Sequence, residues 1–465
     1  MNSMNLLLER EVPSGQMAFY PLGGTATSFG ELMDFAKRAQ KSLRELGFKH
    51  GDAVLLADSL SAEFYAVVMA ALGLGGKVIL VEPFLPVSEI QNIIALVSPR
   101  VFVSSLMGRL WGGRVKAIRQ IPHWRSSRDL CRESYAGKEL TVAAVAPDEA
   151  AILTFTSGTS SGRSKGVVRS HRGLIAQNHA IRNAADLHRF KGPDLAIFAN
   201  LTLANLGMGR GTVFVPPGWK ASHLRKIRDL PREIAPETLS CGPAFLDRFI
   251  TGGFAPPSLK SVHVGGALTE CALFERAFQT LPEARILHVY GSSEVEPVSF
   301  VDAKESVRKS KDRGFVHALL AGKIVNGLRG RLDEKTLWVS GEHVCGEYLG
   351  NPEENLKSKM RDEQGVLWHS MGDRMVETEE GLWYQGRSFQ QKSDFELEQN
   401  IYRVLRHTNA FLFREKGGGL VLSGENLQKR ISEIRAGFPA VDRIQEKKII
   451  RDRRHRARID REASR

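Results

Sequence analysis

A run of small hydroxylated residues and glycines, closed by a lysine, carries the clearest chemical signal in the chain. It covers residues 156–166, Thr-Ser-Gly-Thr-Ser-Ser-Gly-Arg-Ser-Lys-Gly, and follows an apolar segment, 151–155, that predicts a buried strand. Glycines let the backbone approach a ligand closely, and hydroxyl and N–H groups donate hydrogen bonds to anionic oxygens. The composition favours a polyphosphate loop, with a flexible connection as the alternative. It is not a Walker A loop, because Ser164 stands where that motif has a glycine before the lysine.

Two further groups of residues suit the base and the phosphates of a nucleotide. Gly265-Gly266-Ala267 follows the predicted strand 261–264, and a backbone with little side chain lets a planar base lie close to it. Residues 290–294, Tyr-Gly-Ser-Ser-Glu, combine an aromatic ring, hydroxyls and a carboxylate. The ring can pack on adenine, a hydroxyl can bond a phosphate oxygen, and the carboxylate can ligate magnesium.

A fourth group combines an aspartate with a later arginine. Met371-Gly372-Asp373 is followed by residues 381–387, Gly-Leu-Trp-Tyr-Gln-Gly-Arg. A buried aspartate can accept two hydrogen bonds from a ribose diol, and a nearby arginine can pair with phosphate or ribose.

In their order along the chain these groups resemble the motifs of the adenylate-forming superfamily, which includes acyl-CoA synthetases, peptide-synthetase adenylation modules and luciferases. Residues 346–353 are similar to the family's Gly-Tyr-x-x-x-Pro-Glu segment. Residues 295–299 and the tail from 451 to 461 resemble the olefin-biosynthesis β-lactone synthetases, a branch of the superfamily. Arg458 occupies the position of the family's lysine, and Phe389 that of its hinge residue.

The resemblance implies a set of site residues. Lys165, Glu294 and Arg458 would be the catalytic residues, and Glu294 and Thr159 would hold Mg²⁺. The residues expected to bind the nucleotide are Thr156, Ser157, Gly158, Thr159, Gly162, Lys165, Gly265, Gly266, Ala267, Tyr290, Gly291, Ser293, Asp373 and Arg387.

The implied activity is activation of a carboxylic acid by ATP, with Mg²⁺, to an acyl-adenylate. The acyl group would then pass to a thiol, either of coenzyme A or of an acyl carrier protein. Residues 195–209 are apolar and lie where relatives bind the acyl group, which favours a fatty or other apolar acid; helix packing is the alternative explanation. Two other functions stay open: a β-lactone synthetase acting on a β-hydroxy acid, and a non-catalytic nucleotide-binding relative, which Arg458 and Phe389 would suit.

Composition places the chain among ordinary globular proteins. It has 465 residues, 42% hydrophobic and 25% charged, and is long enough for more than one domain. No apolar run reaches the roughly 18 residues that would span a bilayer, and the N-terminus lacks the pattern of a signal peptide. The sequence has four cysteines that lie far apart and lack metal-binding spacing: Cys131, Cys241, Cys271 and Cys345. We therefore expect reduced thiols and a cytoplasmic protein.

The net charge of +13 is concentrated partly in the tail, residues 447–458. That segment contains no aromatic residue for base stacking, so a solvated tail is favoured over specific nucleic-acid binding. An anionic substrate or carrier protein would also suit it.

The elements that must position these residues alternate between helix and strand. The pattern predicts a helix over 28–46 with Ser28 as N-cap, a strand over 53–57, a helix over 62–74 and a strand over 77–81. This alternation predicts an α/β fold: a large N-terminal domain, 1–387, of layered, mostly parallel sheets with flanking helices. Residues 388–465 are expected to form a small α+β domain, with a helix over 396–406 and a strand over 410–413.

Overall fold

The computed structural model describes residues 1–8, 12–23, 25–81, 85–132, 139–156, 165–216, 218–405, 410–415 and 418–449. Five of the predicted site residues lie outside these ranges: Ser157, Gly158, Thr159, Gly162 and Arg458. The side chain of Thr156 is also outside what the structure describes.

Strands and helices are numbered in chain order. The strands are β1 Met17–Tyr20, β2 Thr27–Ser28, β3 Ala53–Ala57, β4 Lys77–Leu80, β5 Val101–Ser104, β6 His123–Arg125, β7 Ala150–Thr156, β8 Lys165–Ser170, β9 Asp194–Ala196, β10 Thr212–Phe214, β11 Thr238–Cys241, β12 Ser261–Val264, β13 Arg285–Ser292, β14 Val295–Asp302, β15 Leu320–Ile324, β16 Leu328–Asp333, β17 Thr336–Gly341, β18 Tyr348–Leu349, β19 Lys359–Arg361, β20 Leu367–Thr378, β21 Gly381–Arg387, β22 Ala410–Arg414, β23 Leu420–Gly424 and β24 Arg443–Glu446. The helices are α1 Asn5–Leu8, α2 Phe29–Glu45, α3 Ala62–Gly73, α4 Val87–Val97, α5 Leu106–Gly112, α6 Lys116–Arg119, α7 Ser127–Leu130, α8 His171–Ala184, α9 Ala199–Gly207, α10 Ala221–Arg228, α11 Pro243–Thr251, α12 Cys271–Thr280, α13 Ala303–Asp312, α14 Pro352–Ser358, α15 Lys392–Leu405 and α16 Ile431–Gly437, with 3-10 turns at Leu187–Arg189 and Gln428–Arg430.

The chain divides into two compact units. The first comprises Met1–Ser240, Ser293–Glu296 and Gly341–His369, and the second comprises Cys241–Ser292, Pro297–Ser340 and Ser370–Arg465. The domain boundary expected after Arg387 stays a prediction.

The first unit contains a seven-stranded sheet in the order β18-β8-β7-β4-β3-β5-β6. The pairs from β7 to β6 are parallel, and β7–β8 and β8–β18 are antiparallel. Beside it in the chain, β9 pairs in parallel with β10 and β11, and β10 pairs in parallel with β1. The predicted α/β class, with mostly parallel pairing in this part of the chain, is confirmed.

Two helices of the first unit show how local sequence fixes its elements. Ser28 caps α2 and forms a capping box with Glu31, as predicted, and Gly47 follows the helix with a φ of 70°. Helix α3 is apolar on every side, because it is buried on every side: Tyr65 and Val67 are fully buried in the core of this unit.

The second unit contains the strand order β16-β17-β20-β21-β15-β14-β13-β12. Strands β12 and β13 are parallel, so their carboxyl ends lie at the same edge of the sheet. The pairs β14–β15, β15–β21 and β20–β21 are antiparallel.

The end of the second unit is a small α+β structure. Strand β22 pairs antiparallel with β23, which pairs in parallel with β24, and α15 packs against β22. The predicted strand over 410–413 is confirmed as β22, but the helix expected to begin at residue 396 begins at Lys392. The reason is tertiary: Asp394 accepts hydrogen bonds from Arg414 at 2.7 and 2.8 Å, and Phe395 is buried, so the first turn of α15 is anchored.

Candidate functional site

Asp373 is the centre of a compact polar cluster in the second unit. The Tyr290 hydroxyl donates a hydrogen bond to Asp373 Oδ2 at 2.7 Å, and Arg387 Nη1 lies 2.9 Å from Oδ1. Asp373 is 6% exposed. Three residues predicted from two separate motifs to bind a nucleotide therefore lie together.

Main-chain pairing accounts for this arrangement. Asp373 in β20 and Arg387 in β21 are direct partners in the antiparallel ladder, so the register of the two strands places their side chains side by side. Gly372 and Gly386 have φ values of 65° and 96°, a region that favours glycine. These glycines permit the irregular backbone next to the pair, where the ladder shifts register between Asp373 and Met375.

One oxygen of Asp373 keeps hydrogen-bonding capacity. Arg387 Nη1 is at ion-pair distance from Oδ1, but among the described residues no N–H or O–H group is aligned to donate a hydrogen bond to that oxygen. Burial, together with the charge of Asp373, raises the pKa of the Tyr290 hydroxyl well above its usual value, which keeps the phenol protonated as the donor. The cluster is thus a carboxylate held by the Tyr290 hydroxyl and by the charge of Arg387, with one buried acceptor left for a ligand hydroxyl.

The segment Gly265-Gly266-Ala267 follows β12 and lies at the same edge of the sheet as residues 289–291 of β13. Val264 pairs with His288, so Gly265 follows at the level of Val289, and a Cβ on Gly265 would lie 2.8 Å from the Val289 carbonyl oxygen. Gly266 has a φ of 84°. Gly265 is therefore required by packing against β13, and Ala267 continues the segment at the edge where Tyr290 and Gly291 are found.

Glu294 is held in the first unit by a tyrosine. It lies in the turn between β13 and β14, and its Oε1 accepts a hydrogen bond of 2.7 Å from the Tyr348 hydroxyl. Burial and the charge of Glu294 raise the pKa of Tyr348, so this phenol also stays protonated. The neighbouring Ser293 contributes its carbonyl oxygen, which accepts a 2.6 Å hydrogen bond from Arg169.

The segment after residue 345 folds so that Tyr348 reaches Glu294. Tyr348 in β18 pairs with Val167 in β8, which extends the seven-stranded sheet. Asn355 in α14 exchanges two hydrogen bonds with the Tyr348 backbone, at 2.7 and 2.9 Å, and Asn351 caps the same helix by accepting from the Glu354 N–H. Strand, cap and helix together fix the tyrosine.

Lys165 forms an ion pair with Glu354 rather than with Glu294. Its ammonium donates to Glu354 Oε1, and the two side chains are 14% and 15% exposed. The same ammonium lies 5.3 Å from the centre of the Tyr348 ring, a cation–π distance. A lysine at the end of the predicted phosphate loop is therefore near the predicted magnesium ligand but is held by another carboxylate.

A second layer of ionisable groups supports Tyr348. Lys359 donates to the Cys345 carbonyl oxygen and lies 5.2 Å from the ring centre of Tyr348; burial lowers its pKa. His369 packs edge-on against the same ring at 6.2 Å, and its Nδ1 donates to the Ser358 carbonyl oxygen at 3.0 Å. Burial, reinforced by nearby Lys359, lowers the pKa of His369 to about 3, so this histidine is neutral.

A small polar cavity lies beside Glu294 within the first unit. Its lining comprises Val168, Arg169, Ser170, Gly173, Gln177, Ser293, Glu294, Glu296, His343, Val344 and Cys345. Glu294 therefore lines this cavity and is also hydrogen-bonded to Tyr348.

The structure brings the predicted residues together within each unit. Tyr290, Asp373 and Arg387 form one cluster; Lys165 and Glu294 are joined through the Tyr348 ring and hydroxyl in the other. Residues missed as site members by the sequence argument are Tyr348, Glu354, Lys359 and His369. The signal that could have found Tyr348 was the Gly-Tyr-x-x-x-Pro-Glu resemblance over 346–353, to which no role was given; Glu354 is the residue directly after it.

The donor set suits magnesium bound together with a nucleotide better than a resident metal. Among the described residues, no group of three or more His, Cys, Asp or Glu side chains could hold a metal ion. Magnesium needs no such cage, because it is commonly bound through one or two carboxylates, waters and substrate phosphates. Glu294, held by a neutral phenol beside a polar cavity, fits that requirement.

The apolar stretch 195–209 forms β9, α9 and the turn after them. Leu206 is part of the hydrophobic core and Leu203 packs against it, as the helix-packing explanation requires. Asn205 donates to the buried Asp194 at 2.9 Å. The role of residues 195–209 in an acyl pocket stays a prediction. Within the described parts of the chain, the structure has no helix with the length and apolarity to traverse a bilayer.

Comparison with known proteins agrees with these features. The family model "AMP-binding enzyme" matches residues 10–349. Peroxisomal OPC-8:0-CoA ligase 1 of Arabidopsis thaliana is 25% identical over 403 residues, covering 79% of this chain and 71% of the relative. The olefin beta-lactone synthetase of Xanthomonas campestris is 24% identical over 415 residues, covering 77% and 71%.

The fold is also found in solved structures. ATP-bound MatB from Rhodopseudomonas palustris superposes with a TM-score of 0.80, covering 100% of this chain and 98% of that one, at 16% identity. At that identity the similarity concerns the fold alone. It confirms the predicted α/β architecture.

Proposed function

Because the chain belongs to the AMP-binding enzyme family, an adenylate-forming ligase family, we propose that it uses ATP to convert a carboxylic acid into an acyl-adenylate and then transfers the acyl group to a thiol. A carboxylate is a poor electrophile, so the acid must first gain a good leaving group. Joining it to AMP supplies that leaving group. The chemistry requires a protein that holds ribose and phosphates and neutralises their charge.

The cluster around Asp373 is the observation that carries the proposal. A ribose has two adjacent hydroxyls, each able to donate to a carboxylate oxygen. Asp373 is buried, is paired with Arg387, and has an oxygen without an aligned donor among the described residues. A diol that donates to this oxygen would satisfy a buried acceptor, and an unsatisfied buried acceptor is costly. Tyr290 and Arg387 would act by orienting the carboxylate.

Glu294 and Lys165 are proposed to act on the phosphates. Glu294 would hold Mg²⁺, with Thr159 of the loop as a further ligand; when bound, the ion offsets phosphate charge. Tyr348 donates to Glu294 Oε1 and so fixes the direction in which the carboxylate points. Lys165 would exchange Glu354 for a phosphate oxygen, a step that costs the ion pair but keeps its charge compensated. Ser157, Gly158 and Gly162 would line the loop.

The proposed reaction consists of two nucleophilic displacements, the first at phosphorus and the second at carbon. In the first, an oxygen of the substrate carboxylate attacks the α-phosphorus of ATP, the bond to the bridging oxygen breaks, and pyrophosphate leaves. In the second, a thiolate sulfur attacks the acyl carbon and AMP leaves with the electron pair. Arg458 is proposed to stabilise the negative charge of the first step, in the place of the family's lysine; unlike lysine it stays protonated at any relevant pH.

The acceptor is proposed to be coenzyme A or an acyl carrier protein, and the acid to be apolar. The similarity to a plant CoA ligase supports the thiol acceptor, and the apolar composition of β9 and α9 supports the apolar acid. Similarity to an olefin beta-lactone synthetase favours one second candidate. In that reaction the substrate's own β-hydroxyl oxygen, instead of a thiol, attacks the acyl carbon and closes a four-membered ring, while AMP leaves with the electron pair and the hydroxyl proton is released.

A pyrophosphate-release screen tests the proposal. Carboxylic acids of increasing chain length, β-hydroxy acids and aromatic acids are supplied with ATP and Mg²⁺, each with and without coenzyme A. We expect acid-dependent pyrophosphate release, and carboxylate-dependent exchange of labelled pyrophosphate into ATP. AMP release that requires a thiol identifies the ligase, and AMP release without a thiol identifies the lactone synthetase.

A matched pair of variants on one strand ties the activity to the site. Asp373→Asn keeps the size of the side chain and removes its charge, and we expect kcat/KM for ATP to fall about 100-fold. Glu377→Gln makes the same chemical change at an exposed position of β20 and should leave kcat/KM unchanged. Absence of exchange with every acid, or an Asp373→Asn variant as active as the parent, would overturn the proposal.

A further inference from the structure

Helix α5 presents large apolar side chains to solvent. Leu106, Met107, Leu110 and Trp111 are 65%, 74%, 60% and 39% exposed. They form two adjacent pairs four residues apart, so all four fall within an arc of about 140° on one side of the helix. Isolated exposed apolar residues are ordinary, but four together on one face mark an interaction surface.

The opposite face of α5 is built from glycines, and this orientation is fixed by packing. A Cβ on Gly108 would lie 1.9 Å from Ser104 Oγ, and a Cβ on Gly112 would lie 3.0 Å from the Phe102 ring. Both glycines therefore press directly against β5 or its end. Ser105 caps the helix by accepting from the Gly108 N–H at 3.3 Å. Because the small residues face inward, the large ones cannot turn into the core.

Basic residues outnumber acidic ones in the sequence around the apolar face. Residues 90–128 contain no Asp or Glu, and the next residue, Asp129, is paired with Arg109 of α5 at 3.6 Å. Arg114 follows the helix directly, and Lys116 and Arg119 are exposed on α6. Helix α6 lies next to α5, because Ile118 Cγ2 is 3.1 Å from the position of a Cβ on Gly112. We call Leu106, Met107, Leu110, Trp111, Arg114, Lys116 and Arg119 the α5 patch.

We propose that the α5 patch is a contact for an anionic lipid surface, in which the four apolar side chains enter the headgroup region while the cations meet lipid phosphates. A helix of seven residues is about 10 Å long, which suits shallow insertion parallel to the membrane. Leucine and tryptophan on one side with Arg and Lys beside them are the composition of interfacial helices. Tryptophan prefers this boundary, since its ring is apolar and its N–H is polar.

The charge of the patch argues against its covering by a second copy of this chain. A two-fold interface brings identical patches together, so Arg114, Lys116 and Arg119 would face the same cations of the partner. An anionic lipid surface instead complements those charges, and it accepts all four apolar side chains without a shaped groove. The contact does not depend on the reaction proposed above.

Vesicle flotation tests this inference on the full chain. Vesicles of phosphatidylcholine alone are compared with vesicles containing 30 mol% phosphatidylglycerol. We expect binding to the anionic vesicles that weakens with salt, and a partition coefficient about tenfold lower for Met107→Gln combined with Trp111→Gln. The matched control is Leu332→Gln, which removes an exposed apolar side chain from β16 and should bind like the parent.

A second measurement locates the contact, because other cations of the chain also attract anionic vesicles. Lipids brominated on the acyl chain quench tryptophan fluorescence, and the quenching should fall in Trp111→Phe relative to the parent. Equal circular dichroism and melting temperatures establish that the variants fold. Absence of binding to anionic vesicles, or equal binding and quenching in parent and variants, would overturn the proposal. So would a parent dimer that the α5 variants convert to monomers without affecting vesicle binding, since the face would then be a protein interface.

Discussion

Asp373 and Glu294 each accept a hydrogen bond of 2.7 Å from a tyrosine hydroxyl, but the two carboxylates are held by different means. Asp373 lies inside β20 opposite Arg387 in β21, so strand register alone brings acid and base together. Glu294 lies in a turn, and its partner Tyr348 is 54 residues further along the chain. The first arrangement is built into main-chain pairing, whereas the second depends on how β18 and α14 pack.

The cationic side chains of the two regions, Arg387 and Lys165, also differ in how they are held. Arg387 is committed to Asp373. Lys165 pairs with Glu354 and lies over the Tyr348 ring, and in the proposed function it exchanges Glu354 for a phosphate oxygen. This contrast suggests a division of labour: a rigid acceptor for neutral ribose hydroxyls, and an adjustable site for highly charged phosphates and magnesium.

The largest effect is expected when the Glu294 carboxylate is removed. For Glu294→Ala we expect kcat to fall by about 1,000-fold or more, because the charge that holds magnesium is lost. Raising the Mg²⁺ concentration should recover part of this activity, which it should not do for Asp373→Asn. Pyrophosphate release at a series of Mg²⁺ concentrations makes the measurement.

Glu353→Ala is the control for this variant, since Glu353 is an exposed glutamate at the start of α14. It should retain the parent rate and the parent Mg²⁺ dependence. If Glu294→Ala kept the parent rate, or if added Mg²⁺ restored Asp373→Asn equally, the two carboxylates would not have separate roles.

The contrast also explains what the sequence could predict. Asp373 and Arg387 were identifiable because residues 371–373 and 381–387 lie close together in the sequence, resemble a family motif, and carry side chains that suit a ribose. The capping box at Ser28 and Glu31 was equally local, and it is present. Residues predicted to bind phosphates in the loop, Ser157 through Gly162, lie outside the described part of the chain, so their roles stay predictions.

What could not be predicted depends on contacts between distant segments. Nothing near Tyr348 in sequence indicates that its hydroxyl meets Glu294, or that Glu354 meets Lys165, 189 residues away. The early start of α15 follows from the pairing of Asp394 with Arg414 across the fold. The outward face of α5 is a further case: its sequence suits a core helix, and only the tight packing of Gly108 and Gly112 turns the leucines outward.

A smaller effect is expected on the free energy of unfolding below neutral pH. It arises from His369, which packs against Tyr348 in the Glu294 region. His369 supports Tyr348 as a neutral ring, because burial lowers its pKa from 6.5 to about 3. An unfolded chain binds this proton below about pH 6.5, and the folded chain resists it until much lower pH. The stabilisation is therefore complete above pH 6.5 and is lost as the pH falls, at about 1.4 kcal/mol per pH unit, or about 2 kcal/mol by pH 5.

Urea unfolding at several pH values measures this contribution by comparing the parent with His369→Asn. The asparagine amide can replace the Nδ1–H donor to the Ser358 carbonyl oxygen but does not titrate. The free energy of unfolding of the variant should therefore fall less steeply between pH 6.5 and pH 5. Identical slopes in the two proteins would mean that His369 is protonated in the folded state, contrary to the burial argument.

The smallest expected effect probes whether Lys165 is in fact free to change partner. In Glu354→Gln the lysine loses a carboxylate that a phosphate would otherwise have to displace, so KM for ATP should fall by about threefold while kcat stays within a factor of two. The broken ion pair is only partly exposed, and the free energy of unfolding should drop by about 1 kcal/mol. Glu353→Gln, the exposed neighbour, should alter neither quantity. A rise in KM for Glu354→Gln would show the opposite arrangement, in which Glu354 holds Lys165 in the position that phosphate needs, and the Glu294 region would then be as rigid as the Asp373 pair.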